Sequence, residues 1–346
     1  MTSPSTYRAA VLVEPRRLEM QERAERALGW NEARVRVRAA GVCGTDLAIH
    51  DGHYPVPLPL VLGHEWVGTV EAVNGEKYSD LIGRRVVGEI NHGCATQHPA
   101  PYCAICEAGF PTHCSQRTVT GITRRDGAFA EKLFVGGQNL RVIPDEMPEE
   151  AAIFVEPLAA ALQTFVMTPV KPGDRVAVLG CGRLGVLAAL VAEKLGARLA
   201  VFARRREHAA MAAQLSLSGV HIGVPDSEIP QTMKNATGGV GADVVIEATG
   251  SPDGLALALD CVRPRGTIAL KSTPGVPVSR FDLTRVVVNE IRLQGSRCGS
   301  FSSAIEFWQS HRPPLERLIT AGFPLERISE AIARAHQPGK VLVHCG

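Results

Sequence analysis

Residues 174–185 read Asp-Arg-Val-Ala-Val-Leu-Gly-Cys-Gly-Arg-Leu-Gly, and residues 186–196 continue as Val-Leu-Ala-Ala-Leu-Val-Ala-Glu-Lys-Leu-Gly. An apolar run, a glycine turn and a helical pattern follow one another in the order that a phosphate-binding strand-turn-helix unit requires. The glycines have the spacing G-x-G-x-x-G, which allows a tight turn, close approach of a pyrophosphate and close packing of the helix on the sheet. The segment therefore predicts a dinucleotide site, and its candidate contacts are Gly180, Gly182, Arg183, Leu184 and Gly185.

Two further apolar segments have the positions of sheet strands in the same unit. Residues 199–203 follow at the distance expected for the second strand. Residues 243–250 have the pattern of a later strand that ends in a loop at the cofactor edge, which makes Thr249 a further candidate contact. A plain buried glycine turn is the alternative to a nucleotide site, but these flanking strands favour the site.

The end of the second strand indicates which cofactor is bound. Folds that prefer NAD generally place Asp or Glu there to bind the ribose, whereas this strand ends in Ala203, so we expect no acid to compete for the ribose. Arg204, Arg205 and Arg206 follow, and guanidinium groups suit bidentate recognition of a phosphate. We therefore expect NADP rather than NAD, bound by Arg204 and Arg205 with Arg206 turned away. The alternative is an exposed basic turn.

Length and composition limit the class of protein. A chain of 346 residues is expected to form about two domains, since single cores stop growing near ~250–300 residues. The formal net charge of +2 does not indicate nucleic acid or an anionic membrane, so a small-molecule substrate is expected. The first eight residues lack a signal-peptide layout, and no apolar run reaches the ~18 residues that span a bilayer. We expect a cytoplasmic protein without a membrane partner.

Residue types that bind metals are concentrated before residue 115. Gly41-Val-Cys-Gly-Thr-Asp46 is followed by Gly63-His-Glu65, and cysteine, histidine and carboxylate are all good zinc ligands. The spacing of Cys43 and His64 is only suggestive by itself, and a buried thiol with a surface histidine is the alternative. Four more cysteines lie within residues 94–114, which indicates a metal site rather than disulfides.

These motifs, in this order, resemble the zinc-dependent medium-chain dehydrogenase/reductase family of the alcohol, polyol and threonine dehydrogenase type. The resemblance covers essentially the whole chain. It implies an α/β fold in which a Rossmann domain, a parallel sheet with helices on both faces, is inserted into a GroES-like β-rich catalytic domain. The expected domains are residues 1–150 for the catalytic domain with a zinc lobe at about 90–115, residues 151–290 for the Rossmann domain, and residues 291–346 for the return to the catalytic domain.

The clustered cysteines match the structural zinc lobe of that family with one departure. Cys94, Cys103, Cys106 and Cys114 have the spacing C-x8-C-x2-C-x7-C, and the first gap is eight residues where the family usually has two. A longer loop costs little closure entropy, so Cys94 is the expected fourth thiolate and His98 is the rival ligand. Free thiols in a degraded lobe are the alternative to a structural zinc. The remaining cysteines are expected to be inert packing residues: Cys181, Cys261, Cys298 and Cys345.

The resemblance also implies a catalytic zinc site. It assigns Cys43, His64 and Glu65 as ligands, and it leaves Glu156, in a Glu-Pro motif, as either a fourth ligand or the partner of a zinc-bound water. Asp46 matches an aspartate that hydrogen-bonds the ligand histidine.

The proton path is implied in the same way. Thr45 occupies the place of the hydroxyl residue that passes the alcohol proton onward. The position at which the family often has a relay histidine is Ala48 in this chain. His50 and His53 lie nearby but do not match that position, so His50 is either a relay residue or a solvent-facing loop histidine.

The resemblance implies hydride transfer between a secondary alcohol, polyol or sugar-type substrate and a nicotinamide cofactor. Two other readings are a zinc-free quinone or enoyl reductase of the same superfamily, and a non-enzymatic nucleotide-binding or structural protein. The zinc-free branch usually lacks both ligand sets, which argues against it. Relatives form homodimers or homotetramers through the edge of the Rossmann sheet, and the apolar segment at residues 286–291, interpreted as a strand, would suit such an edge.

Overall fold

The computed structural model describes residues 5–273, 275–278 and 281–346. Of the eight N-terminal residues considered above for a signal peptide, the first four lie outside the described residues. The strands are β1 (Thr6–Glu14), β2 (Arg17–Ala24), β3 (Glu32–Gly41), β4 (Leu60–Val61), β5 (Glu65–Val73), β6 (Arg85–Gly88), β7 (Asn91–His92), β8 (Thr118–Thr120), β9 (Arg124–Arg125), β10 (Lys132–Gly136), β11 (Leu140–Val142), β12 (Arg175–Leu179), β13 (Arg198–Ala203), β14 (Val220–Ile222), β15 (Ala242–Glu247), β16 (Val262–Leu270), β17 (Arg292–Gly295), β18 (Ile319–Pro324) and β19 (Lys340–His344). The helices are α1 (Gly44–His50), α2 (Ala104–Glu107), α3 (Glu149–Ala152), α4 (Val155–Met167), α5 (Arg183–Lys194), α6 (Arg206–Gln214), α7 (Ile229–Ala236), α8 (Gly254–Cys261), α9 (Leu283–Val288), α10 (Phe301–His311) and α11 (Ile328–Ala335).

The chain divides into two compact units. The first contains the chain up to Glu156 and again from Ile319 onward, and the second is Pro157–Leu318. The second boundary differs from the predicted one, because residues 291–318 lie with the second unit instead of the first. The reason is that β17 pairs with β16 in the sheet of the second unit, and α10 follows it in the same unit.

The first unit is built mainly from antiparallel strands. Its largest sheet has the order β11-β6-β5-β3-β19-β18, and β10 also pairs with β3. Alternation along β3 follows the predicted period of two, since Ala33, Val35 and Val37 are buried while Arg36 is exposed. This period places one face of the strand on a core that also contains Leu12 and Phe129. The arrangement confirms the predicted β-rich domain.

The second unit is a six-stranded parallel sheet with the order β14-β13-β12-β15-β16-β17. Residues 176–179 of β12 are all buried, as expected for a central parallel strand covered on both faces. The strand order reverses between β12 and β15, and ligands of such sheets bind at that switch point, outside the carboxyl ends of the strands. This topology confirms the predicted Rossmann-type fold.

The segment at residues 286–291 was wrongly interpreted as a strand. Its first residues form the end of α9, and the edge strand β17 begins only at Arg292. Val287 and Val288 are 69% and 73% exposed, whereas Ile291 is buried. A short run of β-branched residues does not by itself distinguish a strand from a helical turn.

None of the helices in the described part of the chain has the length and apolarity needed to cross a membrane.

Candidate metal centres and cofactor pocket

The pairing of β3 with β5 brings the Cys43 loop beside the adjacent residues His64 and Glu65. In the antiparallel register, Gly41 at the end of β3 lies opposite Glu65 at the start of β5. A Cβ on Gly41 would lie 2.7 Å from both Glu65 Oε2 and Ile153 Cγ2, so this close approach requires glycine. As a result, one potential ligand atom from each of Cys43, His64 and Glu65 lies within 4.8 Å of the other two.

A buried carboxylate organises this group of three. Asp46 is fully buried and accepts hydrogen bonds from the backbone N–H of Cys43 at 2.8 Å and of Gly63 at 3.1 Å. Its Oδ1 lies 3.3 Å from His64 Nδ1, an ion-pair contact that lacks hydrogen-bond geometry. Burial lowers the pKa of His64, but the charges of Asp46 and Cys43 outweigh it and raise that pKa well above its ordinary value. With Nδ1 facing Asp46, Nε2 of His64 is the nitrogen available to a metal.

Glu65 forms a buried ion pair with Lys340, the first residue of β19. Lys340 Nζ donates to Glu65 Oε2, and both side chains are almost completely buried. The two residues come close because β5 and β19 pair with β3 along its two opposite edges. It holds the carboxylate in place through one oxygen, and Glu65 still offers one ligand atom to the group of three.

Lys340 was not identified from the sequence, and the 275 positions that separate it from Glu65 explain why. The available signal was a lysine that opens an otherwise apolar terminal strand. Such a lysine indicates a buried charge, but the sequence does not show which residue pairs with it.

The group of three fits zinc by its donor chemistry. Thiolate, imidazole and carboxylate are the ligand types of zinc, and three protein ligands with an open fourth position form a catalytic layout. Glu156, the predicted fourth ligand or water partner, is a half-buried residue in the first turn of α4 and lies outside this group. Thr45 lies in the first turn of α1, and its Oγ1 is 3.9 Å from Cys43 Sγ.

His50, which lies near the predicted proton path, faces the carboxylate of Asp51. His50 Nδ1 lies 2.9 Å from Asp51 Oδ1, and the other carboxylate oxygen of Asp51 lies 3.7 Å from His336 Nε2. His53 is exposed in the following loop. His50 is the last residue of α1 and its side chain is only 15% exposed, so it is not a solvent-facing loop histidine, and a relay role for it stays a prediction.

The four clustered cysteines converge as a second metal-type group. Cys94 Sγ lies 3.6 Å and Cys103 Sγ 3.7 Å from Cys114 Sγ, and Cys106 completes the set. Thiolates at ~2.3 Å from a tetrahedral zinc would be roughly 3.8 Å apart, so the spacing fits that ion. His98 is outside the set, and its Nδ1 lies 2.7 Å from the carbonyl oxygen of Pro99. The geometry therefore favours Cys94 over His98.

The thiols of this lobe influence one another, whereas the buried thiols of Cys181 and Cys345 each donate to a backbone carbonyl. A backbone hydrogen bond from Cys106 and the neighbouring thiols lower the pKa of Cys103 to about 6, and burial raises that of Cys106 to about 12. Outside the lobe, burial raises the pKa of Cys181 to about 11 and those of Cys261 and Cys345 to about 12. Such thiols stay protonated and unreactive near neutral pH.

A cavity of about 330 Å³ lies at the carboxyl edge of the parallel sheet in the second unit. Six predicted cofactor residues line it, namely Gly180, Gly182, Ala203, Arg204, Arg205 and Thr249. The predicted residues Arg183, Leu184 and Gly185 form the first turn of α5 beside the cavity wall, and Arg206 at the start of α6 is also outside the lining. The cavity lining includes four charged or titratable residues that the sequence analysis missed, namely His208, His221, Asp226 and Asp253.

The glycine turn at this cavity has the geometry that phosphate binding requires. Gly180 has a φ of 97°, and a Cβ there would lie 2.5 Å from the carbonyl oxygen of Ala248. Gly185 leaves no room for a side chain against the carbonyl of Gly180. By contrast, the space beside Gly182, at the N-terminus of α5, is open to 4 Å, so a ligand phosphate could approach the backbone there.

An acid does face the arginines of this cavity, contrary to the expectation from the second strand. Asp226, after β14, accepts a hydrogen bond from Arg204 Nη2 at 2.5 Å. Reading only the end of β13 missed it, because β14 pairs with β13 and brings a residue 22 positions away to the same edge. Next to these residues, the His221 ring stacks on Phe202 with centroids 5.0 Å apart.

Two protein-family models match this chain, and known dehydrogenases are similar to it in sequence. Residues 29–145 match the alcohol dehydrogenase GroES-like domain, and residues 184–310 match the zinc-binding dehydrogenase family. The sorbitol dehydrogenase of Bacillus subtilis strain 168 is 27% identical over 343 residues, 97% of this chain and 95% of that protein. The L-threonine 3-dehydrogenase of Edwardsiella ictaluri is 31% identical over 273 residues, 78% of this chain and 77% of that protein.

Solved structures show the same likeness. Alcohol dehydrogenase TADH from Thermus sp. ATN1 superposes with a TM-score of 0.88 at 32% identity, over 98% of this chain and 100% of that one. A short chain alcohol dehydrogenase of E. coli CFT073 with NADH and a putative zinc-binding dehydrogenase of Sinorhizobium meliloti 1021 bound to NADP are each 25% identical, with TM-scores of 0.88 and 0.85. Each covers 98% of this chain and 99% of the other chain. The chain belongs to the zinc-type medium-chain dehydrogenase family.

Proposed function

We propose that the protein is a zinc-dependent oxidoreductase that transfers hydride between a secondary alcohol, polyol or sugar-type substrate and a nicotinamide cofactor, with NADP preferred. The observation that carries the proposal is the convergence of Cys43, His64 and Glu65 in a chain that also has a dinucleotide-type cavity. Relatives named as sorbitol and threonine dehydrogenases, and similar structures with NADH and NADP, support the substrate class and the cofactor class.

The residues of the first unit would hold the metal and orient its ligands. Cys43, His64 and Glu65 would bind zinc, which supplies a Lewis acid that lowers the pKa of an alcohol hydroxyl. Asp46 holds the imidazole of His64 with Nε2 free, and Lys340 holds Glu65 through one oxygen. A ligand set fixed in this way needs little rearrangement during the reaction.

Proton transfer would start at the hydroxyl of Thr45, which lies 3.9 Å from the thiol of Cys43. A hydroxyl group both donates and accepts, so it can receive the alcohol proton and pass another one onward. Ala48 has no titratable group and cannot continue the relay.

The residues of the second unit would bind the cofactor. The backbone at Gly180 and Gly182, at the N-terminus of α5, would bind the pyrophosphate. Arg204 and Arg205 would bind the adenosine 2′-phosphate, and Thr249 lies at the same edge with its hydroxyl donating to Glu247 Oε1 at 2.6 Å. The four-thiol lobe would bind a second, structural zinc.

A homodimer or homotetramer is part of the proposal. In the described residues β17 ends the sheet, and apolar side chains are exposed on α9 and β17, with Leu283 62%, Val287 69% and Leu293 38% exposed. This edge is a suitable interface between copies. Sedimentation velocity would test it, since a monomer at micromolar concentration would contradict the proposal.

The two competing functions predict different results in one experiment. Purified protein is analysed for zinc and then assayed with NADP and NAD in parallel against alcohols, polyols and sugars. We expect about two zinc ions per chain and turnover with secondary alcohols or polyols. Turnover of quinones or enoyl substrates by zinc-free protein would favour the zinc-free reductase. Nucleotide binding without turnover across the panel would favour the non-enzymatic reading.

A further inference from the structure

A second, open cavity of about 540 Å³ lies at the amino edge of the parallel sheet, where β16 and β17 begin. It is therefore on the edge opposite the dinucleotide-type cavity. Its volume is within the ~300–1,000 Å³ that pockets for small molecules usually have. Among the described residues its lining consists of Arg263, Arg265, Glu290 and Arg292. The proposed metal and cofactor sites use none of these residues, so the proposed function does not explain the cavity.

Two irregular segments of the chain form this amino-edge cavity. The pairing of β16 with β15 is interrupted at residues 263–266, which bulge out of the sheet. The second segment, residues 289–291, connects α9 to β17. The backbone N–H of Arg265 donates to the carbonyl oxygen of Asn289 at 2.7 Å, which joins the two segments. As a result, side chains from both segments line the same cavity.

Each segment contains a residue other than glycine in the left-handed backbone region. Arg265 has a φ of 60° and Glu290 has a φ of 51°. This conformation is uncommon and unfavourable for residues with long side chains. Strained residues of this kind cluster at functional and ligand-binding sites, so two of them at one cavity indicate a binding role.

The charges beside the bulge favour an anion. Arg263 Nε donates to Asp243 Oδ1 at 2.6 Å, and Arg175 Nε donates to the other oxygen of the same carboxylate at 3.0 Å. One negative charge is therefore shared by two guanidinium groups. Arg263 Nη1 donates to the carbonyl oxygen of Pro264 at 2.8 Å, and Nη2 takes part in neither contact.

The other two arginines of the lining are less engaged. Arg265 Nε lies 3.1 Å from Glu290 Oε2, but these side chains are 78% and 70% exposed, so the ion pair is weak. Within the described part of the chain, the exposed side chain of Arg292 makes no hydrogen bond or ion pair. Successive side chains of a strand alternate between its faces, so Arg292 is not on the face of β17 whose Leu293 was assigned to the interface between copies.

We infer that the amino-edge cavity binds a small anion that carries two or more phosphate or carboxylate groups. Guanidinium groups bind both kinds of group through paired hydrogen bonds, and the cavity presents three of them. Its lining, in the described residues, has no aromatic or aliphatic side chain on which a base could stack. The ligand is therefore recognised by its charge and its oxygen atoms. It replaces the weak contact of Glu290 with Arg265 and also engages Arg292.

The experiment titrates inorganic pyrophosphate and citrate into the protein by calorimetry, with NADP in excess so that the cavity at the carboxyl edge is occupied. We expect Arg292→Gln to weaken binding of the tighter anion about tenfold, because it removes one charged partner. Glu290→Gln should strengthen binding about two- to threefold, because it removes the competing carboxylate. Arg198→Gln is the matched control. Arg198 is an exposed arginine that begins β13 at the same edge of the sheet and is outside the lining, so its loss should change binding less than about twofold.

Tighter binding of pyrophosphate would support the inference and assign phosphate groups to the ligand, and tighter binding of citrate would support it and assign carboxylates. Wild-type protein that binds neither anion, or folded Arg292→Gln protein that binds as tightly as wild type, would overturn it. Equal weakening by Arg198→Gln would also overturn it, because the attraction would then be non-specific. If Arg292→Gln does not fold, Arg265→Gln replaces it and should weaken binding about five- to tenfold. Failure to bind NADP would count against the proposed function alone, since the anion titrations can be repeated without the cofactor.

Discussion

Arg204 Nη2 lies 2.5 Å from Asp226 Oδ2, and both side chains line the cavity at the carboxyl edge of the parallel sheet. Both are at least half exposed, so the ion pair contributes little to stability. The contact engages only Nη2 of a guanidinium group that has five N–H donors. The pair is thus compatible with the proposed NADP preference, although it adds an acid to the site.

Replacing Ala203 by Asp and Arg204 by Ser should shift the ratio of kcat/KM toward NAD. The new carboxylate would accept hydrogen bonds from the ribose and repel a 2′-phosphate, and one charged hydrogen bond to that phosphate would be lost. Such bonds contribute ~1.5–3 kcal/mol, so we expect a change of about ten- to a hundredfold. Arg206→Ser is the matched control, because Arg206 does not line the cavity. A wild-type enzyme that used NAD as well as NADP would refute the assignment.

Cys43→Ser should abolish alcohol oxidation and leave cofactor binding nearly unchanged. The thiol is one of three converging ligand atoms in the first unit, while the dinucleotide cavity belongs to the second. Activity is followed with the best substrate of the panel, cofactor binding by calorimetry, and zinc content by elemental analysis. Full activity in the variant, or carefully purified wild-type protein without zinc, would contradict the metal assignment.

Cys106→Ser should lower thermal stability more than it affects the turnover of the folded enzyme. Metal bound by the four thiols contributes directly to folding free energy, and a loss of ~2 kcal/mol corresponds to a Tm lower by roughly 4–8 °C. Differential scanning calorimetry with parallel zinc analysis measures both effects. A variant that melts like wild type but has lost turnover would show that the lobe acts in catalysis.

The fourth ligand of this lobe can be assigned with two further variants. Cys94→Ser should resemble Cys106→Ser, because Cys94 Sγ lies 3.6 Å from Cys114 Sγ. His98→Ala should retain the wild-type Tm and zinc content, since its ring faces the backbone of Pro99. The reverse result would make His98 the ligand.

Lys340→Met should destabilise the protein, and most strongly after zinc has been removed. Breaking a buried ion pair leaves an unpaired charge, at a cost of about 3–5 kcal/mol, and here that charge is the carboxylate of Glu65. A bound zinc ion would compensate part of the loss. Unfolding by urea is measured with and without a chelator, and Lys340→Arg is the control that keeps the charge. Equal stability of Lys340→Met and wild type without metal would contradict this role.

The sequence identified the residues of the site better than their partners. Cys43, His64, Glu65 and the four thiols each belong to a local motif, and the structure brings each set together. Lys340 and Asp226 belong to no motif, because they reach Glu65 and Arg204 through strand pairing over long separations. Periodicity along one segment carries no information about such partners.

The two errors in the fold have different causes. The segment at residues 286–291 has β-branched residues, which favour strands, but it ends a helix whose exposed side is apolar. The domain boundary differs because β17, which follows α9, pairs with β16 and extends the parallel sheet beyond residue 290. The helix α9 has a local cause, because the Asp282 side chain accepts a hydrogen bond from the Arg285 N–H at its start and none of its residues is buried.

Asp243→Asn should destabilise the second unit at neutral pH but not in acid. Burial raises the pKa of Asp243, but hydrogen bonds from Arg175 and Arg263 outweigh it and hold that pKa well below its ordinary value. A carboxyl group with a lowered pKa stabilises the fold above its unfolded pKa of about 3.9, and this stabilisation is lost as the pH falls toward the folded value. We therefore expect backbone amide hydrogen exchange in β12 and β15 to be about five- to a hundredfold faster in the variant than in wild type at pH 7, corresponding to ~1–3 kcal/mol. Below about pH 4 the difference in exchange rate between variant and wild type should become smaller. Asp174→Asn is the control, because Asp174 Oδ2 accepts only a turn hydrogen bond from the N–H of Lys171 in the contacts described. A difference that stayed constant from pH 7 into acid would show that the variant acts through packing and not through the charge of Asp243.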